Sequence, residues 1–165
     1  MKVVSDSSPL ITLAKIGRLE VLPQLYQTLA ITTEVYDEVV VSGAGLPGSS
    51  EIAAAIWITI GPVENAADLL KIQQRFGLGA GEASTIILGK ELKADFVLID
   101  EIKARKVAQA EGLVVLGCVG VLEDAFGLQL LPDLREAYRQ LLDSGAYVDR
   151  KILETSLKAF NLLPL

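Results

Sequence analysis

Apolar residues follow two rhythms along this chain. Short runs rich in β-branched and aliphatic residues, Lys2–Ser5 (KVVS), Leu29–Thr33 (LAITT), Trp57–Ile60 (WITI), Phe96–Ile99 (FVLI) and Val114–Leu116 (VVL), predict five strands. Between them, apolar residues return at helical spacing. Ser7-Ser8-Pro9 opens a helix, because Ser caps and Pro suits an early helical position; Leu10, Leu13 and Ala14 continue it and Gly17 ends it. Arg18–Tyr26 is a second short helical segment that contains Pro23. Thr33 is placed to cap a helix from Glu34 to Val41, with Val35, Val39 and Val40 on one face. Ser42–Ser50 (SGAGLPGSS) is a loop by composition, followed by a short helix at Glu51–Ile56. Asn65–Phe76 is helical with Leu69, Leu70, Ile72 and Phe76 as its apolar set, and Gly81–Leu92 turns Ala83, Ile86 and Ile87 inward. Further helices are predicted at Ile102–Ala110, Val119–Phe126, Asp133–Leu142 and Arg150–Phe160.

Strands alternate with helices to about residue 126, which implies βαβ crossovers. The expected fold is α/β: three α/β/α layers around a mainly parallel sheet of four to five strands. A single domain spans 1–165, with an α/β core over 1–126 and a C-terminal helical extension over 127–165.

Composition narrows the chemistry. The 165 residues include 51% hydrophobic and 22% charged, enough for one domain with a sheet covered on both faces. No apolar run reaches the roughly 18 residues of a membrane span, and the N-terminal stretch, interrupted by Asp6 and Pro9, reads as a strand and not as a signal peptide. The single Cys118 excludes an intramolecular disulfide and fits a reducing, cytoplasmic setting. There is no His, which removes Ser-His-Asp and Cys-His nucleophiles, His acid–base chemistry and the common zinc sites. A net charge of −6 argues against a broad basic surface for nucleic acid but leaves room for a metal-inverted acidic pocket.

The carboxylates then stand out by position. Asp6 follows the first strand and Asp100 the fourth, and parallel sheets build sites outside the carboxyl ends of their strands. If those strands are neighbours, about 4.8 Å apart, the two acids converge. Glu38 lies on the helix after the second strand, and Glu82 in the first turn of the helix feeding the fourth. All four fall on one side of the sheet, with Glu101 next to Asp100. Crowded carboxylates raise one another's pKa, and a hard divalent ion, Mg²⁺ or Mn²⁺, relieves that repulsion and activates water. Each acid also has a plainer reading. Asp6 is a turn residue or a cap, Glu38 a solvated helix face, Glu82 a favourable charge at a helix N-terminus, and Asp100-Glu101 a cap. Ser7, Lys103 and Arg105 are structural groups or phosphate contacts beside the site. Cys118 is a small buried hydrophobe.

Taken in order, the segment Asp6–Ile11 and the stretches TEVYDEV, LGAGEAS, VLIDEIKAR and EGLVVLGCVGVL resemble the PIN-like proteins of the DUF3368 type, relatives of the toxin nucleases of toxin–antitoxin pairs. The resemblance implies a parallel sheet of four or five strands with helices on both faces. It also implies an acidic cluster that binds Mg²⁺ or Mn²⁺ for endonucleolytic hydrolysis of single-stranded RNA. It places the family acids on Asp6, Glu38, Glu82 and Asp100; metal ligation falls on Asp6, Glu82 and Asp100, with Glu101 a further candidate. Ser7 matches a small polar position beside the first acid. Many relatives carry Asp where this chain has Glu82, which lengthens the reach by one methylene. The resemblance further implies homodimers and, for toxins, a small antitoxin partner.

Two other classes compete. A PIN-like scaffold without turnover would act as an interaction module for a small protein, which the acidic balance favours. Phosphoryl-transfer domains also gather acids at strand ends. A receiver domain, however, wants Lys where Gly117-Cys118 stand, and an aspartyl phosphatase wants Asp where Ser8 stands. The GLGAGEA glycines lack the preceding strand of a dinucleotide-binding fingerprint.

Overall fold

The computed structural model describes residues 1–165. The five runs form one sheet, all parallel: β1 (Val3–Ser5), β2 (Leu29–Thr32), β3 (Ile58–Gly61), β4 (Phe96–Leu98) and β5 (Val115–Leu116), in spatial order β3-β2-β1-β4-β5. Around it lie α1 (Ser7–Lys15), α2 (Val21–Tyr26), α3 (Thr33–Tyr36), a π-helical turn (Asp37–Val41), α4 (Ser49–Ala53), α5 (Ala66–Phe76), α6 (Ala80–Glu91), α7 (Ile102–Ala110), α8 (Cys118–Gly127), α9 (Leu134–Asp143) and α10 (Arg150–Ala159). No helix is long and apolar enough to cross a membrane.

Strand alternation divides the interior into two cores. Val3, Leu29, Ile31 and Leu98 point to one face, where α1, α2, α8, α9 and α10 pack. Val4, Val97 and Ile99 point to the other, under α5, α6 and α7. Covering both faces makes the central strands apolar throughout, and this is why they read as continuous runs. The last two helices carry Leu134, Ala137, Tyr138, Leu141, Leu153 and Leu157 into the larger core. Tyr138 Oη and Ser156 Oγ, 2.7 Å apart, join α9 to α10 through a buried hydrogen bond.

Several local expectations shift. Thr32, and not Thr33, caps α3, its hydroxyl accepting from the Val35 amide at 3.1 Å. The expected Glu34–Val41 helix is only four residues of α-helix before it widens, and the Ser42 amide donates to Asp37 O, five residues back, at 2.7 Å. The helix expected at Glu51–Ile56 starts earlier, at Ser49, because Gly48 takes a positive φ of 92° and turns the chain into it. Leu70, expected inward on α5, is exposed, and Ile72 carries the contact instead.

Candidate active site

The strand order reverses between β1 and β4, so the chain leaves the sheet in opposite directions from these two neighbours. A crevice opens there outside their carboxyl ends. Their register pairs Ser5 with Leu98, and the Asp6 amide donates to Leu98 O at 2.9 Å. Asp6 and Asp100 therefore leave the sheet side by side.

Asp6 is 2% exposed, and its Oδ1 has no hydrogen-bond partner. Burial pushes its carboxyl up to about 7; the Ser7 backbone amide pulls it down, and the charges of Glu38, Glu82 and Asp100 raise it further. All three expected partners thus act on Asp6 electrostatically. Asp6 also holds the N-cap position of α1 in extended backbone, yet its side chain makes no capping bond.

Glu38 arrives on the π-turn. Its Oε2 accepts from Ser7 Oγ at 2.8 Å and its Oε1 from the Gly81 amide at 3.0 Å. Gly81 must lack a side chain for this, since a Cβ there would stand 2.6 Å from Glu38 Oε2. The helices that meet here are tied by a buried hydroxyl pair, Thr32 Oγ1 and Ser84 Oγ, 2.7 Å apart. Gly43 lets the chain close behind the π-turn: a Cβ at this position would lie 2.5 Å from Val39 O. Glu82, in the first turn of α6, accepts from the Gly79 amide at 3.0 Å.

Asp100 is held by a residue whose sequence pattern marks it only as packing. Cys118 donates its amide to Oδ1 at 2.7 Å and its thiol to Oδ2 at 2.9 Å. The thiol is pushed well above its ordinary pKa by burial and by Asp100, so it stays a donor. The available signal is the spacing: Gly117-Cys118 ends β5, the next strand beyond β4, as Asp100 ends β4.

The remaining candidates divide. Ser7 joins the cluster through Glu38. Glu101 is the N-cap of α7, accepting from the Ala104 amide at 2.7 Å, and it is not among the charges that raise Asp6. Arg105 Nη1 donates to Ile99 O at 2.9 Å; it and Asp100 Oδ1 flank the space that a Gly117 side chain would fill. Lys103 Nζ donates to Gly77 O at 2.9 Å, tying α7 to the loop before α6. Of the two, Arg105 is the cation that stands beside Asp100.

The donor set is oxygen-only, which suits a hard divalent ion, and Asp6 offers a buried, unpartnered acceptor to it. As placed, no three carboxylates stand close enough to share one ion. Glu38, Glu82 and Asp100 are each held by protein donors.

The DUF3368 family profile, described as a PIN domain, matches residues 2–162. No curated protein matches the sequence. Among solved structures, the chain is similar to a PilT N-terminus domain protein from the hyperthermophilic archaeon Sulfolobus solfataricus P2. The TM-score is 0.52 and the identity 13%, with 90% of this chain and 98% of that one covered. At that identity the likeness speaks to the fold.

Proposed function

Since the chain belongs to the DUF3368 family of PIN domains, we propose that it is a metal-dependent ribonuclease that hydrolyses phosphodiesters of single-stranded RNA. The observation that supports this most is Asp6, a buried carboxylate with an unpartnered oxygen at the sheet's switch point, within electrostatic reach of three further acids. Bound Mg²⁺ or Mn²⁺ would supply water activation and neutralise charge developing on the phosphate. Asp6, Glu82 and Asp100 would hold it after side-chain movement, since as placed they do not close on one ion. Cys118 fixes the orientation of Asp100 through two donors, and Gly81 and Ser7 fix Glu38, so neither carboxylate must be ordered at the moment of reaction. Lys103 and Arg105, each anchored on a backbone carbonyl, would meet the RNA phosphates at the rim of an otherwise acidic site. Glu101 serves through its cap, which sets the start of α7 and with it both cations. The same reading extends to a homodimer and, in a toxin role, to a small antitoxin partner; light scattering and co-purification test these.

Cleavage of a labelled single-stranded RNA in Mn²⁺ should stop with chelator and fall by at least about a hundredfold in Asp6→Asn, in line with loss of a group that carries charge stabilisation. Full cleavage by Asp6→Asn would refute the proposal. A second reading, a PIN scaffold without turnover that binds a protein partner, is favoured by the spacing of the acids, which does not close on one ion. Manganese paramagnetic resonance separates the two: no bound Mn²⁺ at millimolar concentration supports the second.

A further inference from the structure

Charge is unevenly spread along the helices that cover the smaller core. The chain carries −6 overall, yet no acidic residue stands from Leu69 to Gly81 or from Ile102 to Ala110. These two stretches hold Lys71, Arg75, Lys103, Arg105 and Lys106. The first contains the end of α5 and the start of α6, and the second is α7. Glu82 marks the start of α6 at the acid edge of the sheet. Only Gly77–Gly79 separate α5 from α6, so the last turn of α5 reaches the same edge. α7 starts there too, because it follows β4. Lys103 Nζ, on Gly77 O at 2.9 Å, bridges the two helix ends.

The cations of this shelf are not spent on carboxylates. Lys71 pairs with Asp68 at 3.7 Å; the other ion pairs are Lys90–Glu111, Arg139–Glu136 and Arg150–Glu154, so Arg75, Lys103, Arg105 and Lys106 have none. Arg75 and Lys106 are exposed. The Arg75 guanidinium lies over the Phe76 ring, 5.1 Å from its centroid. Phe76 in turn packs against the core under α5, α6 and α7. A solvent-facing planar cation is thereby braced on a ring that the core holds. The acids at this edge are those of the crevice itself, Glu82, Asp100 and Glu101.

We propose that the end of α5 and the first turns of α7 form a subsite for the nucleotide that flanks the scissile phosphate, a proposal that rests on the nuclease reading. Arg75 stacks on the base, and Lys106 meets the backbone phosphate. Proteins that hold single strands combine a cationic track for the backbone with planar groups on which bases stack. The guanidinium plane offers such a surface, and an ammonium does not. A duplex keeps its bases stacked on one another and has none to give Arg75. The shelf therefore selects single strands.

The test separates binding from turnover. The full chain is titrated, with chelator present, against a labelled oligoadenylate of about ten nucleotides and against the matching abasic ribose-phosphate strand, by fluorescence anisotropy. Arg75→Ala should weaken oligoadenylate by about fivefold or more, and the abasic strand by less. Arg75→Lys keeps the charge without the plane, and should restore the abasic strand alone. Lys106→Ala should lower the slope of log K against log salt by about 0.7. Lys158→Ala, on α10 over the other face of the sheet, should change neither. Wild-type affinity in both Arg75→Ala and Lys106→Ala, with RNA cleavage in Mn²⁺ intact, overturns the subsite and leaves the nuclease reading standing. A wild type that neither binds nor cleaves RNA overturns both.

Discussion

Asp6→Asn should stabilise the metal-free protein at neutral to alkaline pH. The Asp6 carboxyl stands at about 7 in the folded chain against 3.8 for the ordinary group, with burial as the main cause. One pKa unit corresponds to about 1.4 kcal/mol, so ionising Asp6 in the fold costs about 4 kcal/mol relative to the unfolded chain. The sign follows from proton binding. Between about pH 4 and 7 the native state holds a proton that the unfolded state has lost, so stability falls as pH rises through this window. Below it both states are protonated and the penalty is absent. Asn is neutral throughout and has no such slope. The variant should match the wild type near pH 4 and exceed it by roughly 3–4 kcal/mol near pH 8, a melting shift of about 10 °C for a chain of this size. Urea denaturation with chelator present, at both pH values, measures this. Adding Mn²⁺ at pH 8 should narrow the gap by stabilising only the wild type. A pH-independent difference, or a wild type more stable than Asp6→Asn at pH 8 without metal, would refute the reasoning.

Substitutions at two further positions probe how the acids are held, and one at a third probes the joint between the last two helices. Gly81→Ala puts a Cβ 2.6 Å from Glu38 Oε2 and should swing that carboxylate off the Gly81 amide. RNA cleavage should fall at least about tenfold while the melting temperature barely changes, since Ala in a helix gains up to about 1 kcal/mol over Gly. Cys118→Ala removes the thiol that donates to Asp100 Oδ2. A hydrogen bond to a charged group contributes about 1.5–3 kcal/mol, so kcat should fall about tenfold, and Cys118→Ser should restore most of it. Ser156→Ala leaves the Tyr138 hydroxyl, in a fully buried residue, without a partner. Urea unfolding should show a loss of about 1–3 kcal/mol in a single transition.

Most of the architecture is legible in the sequence because its signal is local. Each strand is a short, mainly apolar run, and Gly17, Gly77 and Gly112, all at positive φ, end helices where the chain shows only a glycine. Ile102–Ala110 is expected with the bounds that the structure has. What stays hidden depends on distant partners. Nothing in TEVYDEVVV announces a π-turn, whose Glu38 is held by Ser7 and Gly81, both far away in sequence. Leu70 looks as apolar as Ile72, but Leu69, Ile72 and Phe76 share the covered face of α5 at helical spacing and Leu70 lies off it. The strand-end positions of Asp6 and Asp100 are visible. That β1 and β4 lie side by side, and that Cys118 reaches Asp100 across the end of β5, are not.

The capping pattern gives an independent argument that Asp6 is reserved for something other than structure. Thr32, Asn65, Glu101, Asp133 and Asp149 all precede helices, and each side chain accepts a backbone amide from the first turn. Asp6 shares the extended backbone of Thr32, Glu101, Asp133 and Asp149 at the start of α1, with φ −75° and ψ 170°, yet makes no such bond across the first turn. A cap at this place contributes about 1 kcal/mol, and an Asp has the geometry to supply it. The carboxylate instead sits buried with one oxygen unpartnered, among three acids that all raise its pKa. A full cap would put this side chain on an amide one turn into α1, and the amide that it meets is that of Ser7, at the very start of the helix. Stability alone would favour Ser or Asn here, which cap as well and carry no charge into the crevice. The buried charge of Asp6 therefore costs stability, and a cation bound beside it, as proposed above, would offset that cost.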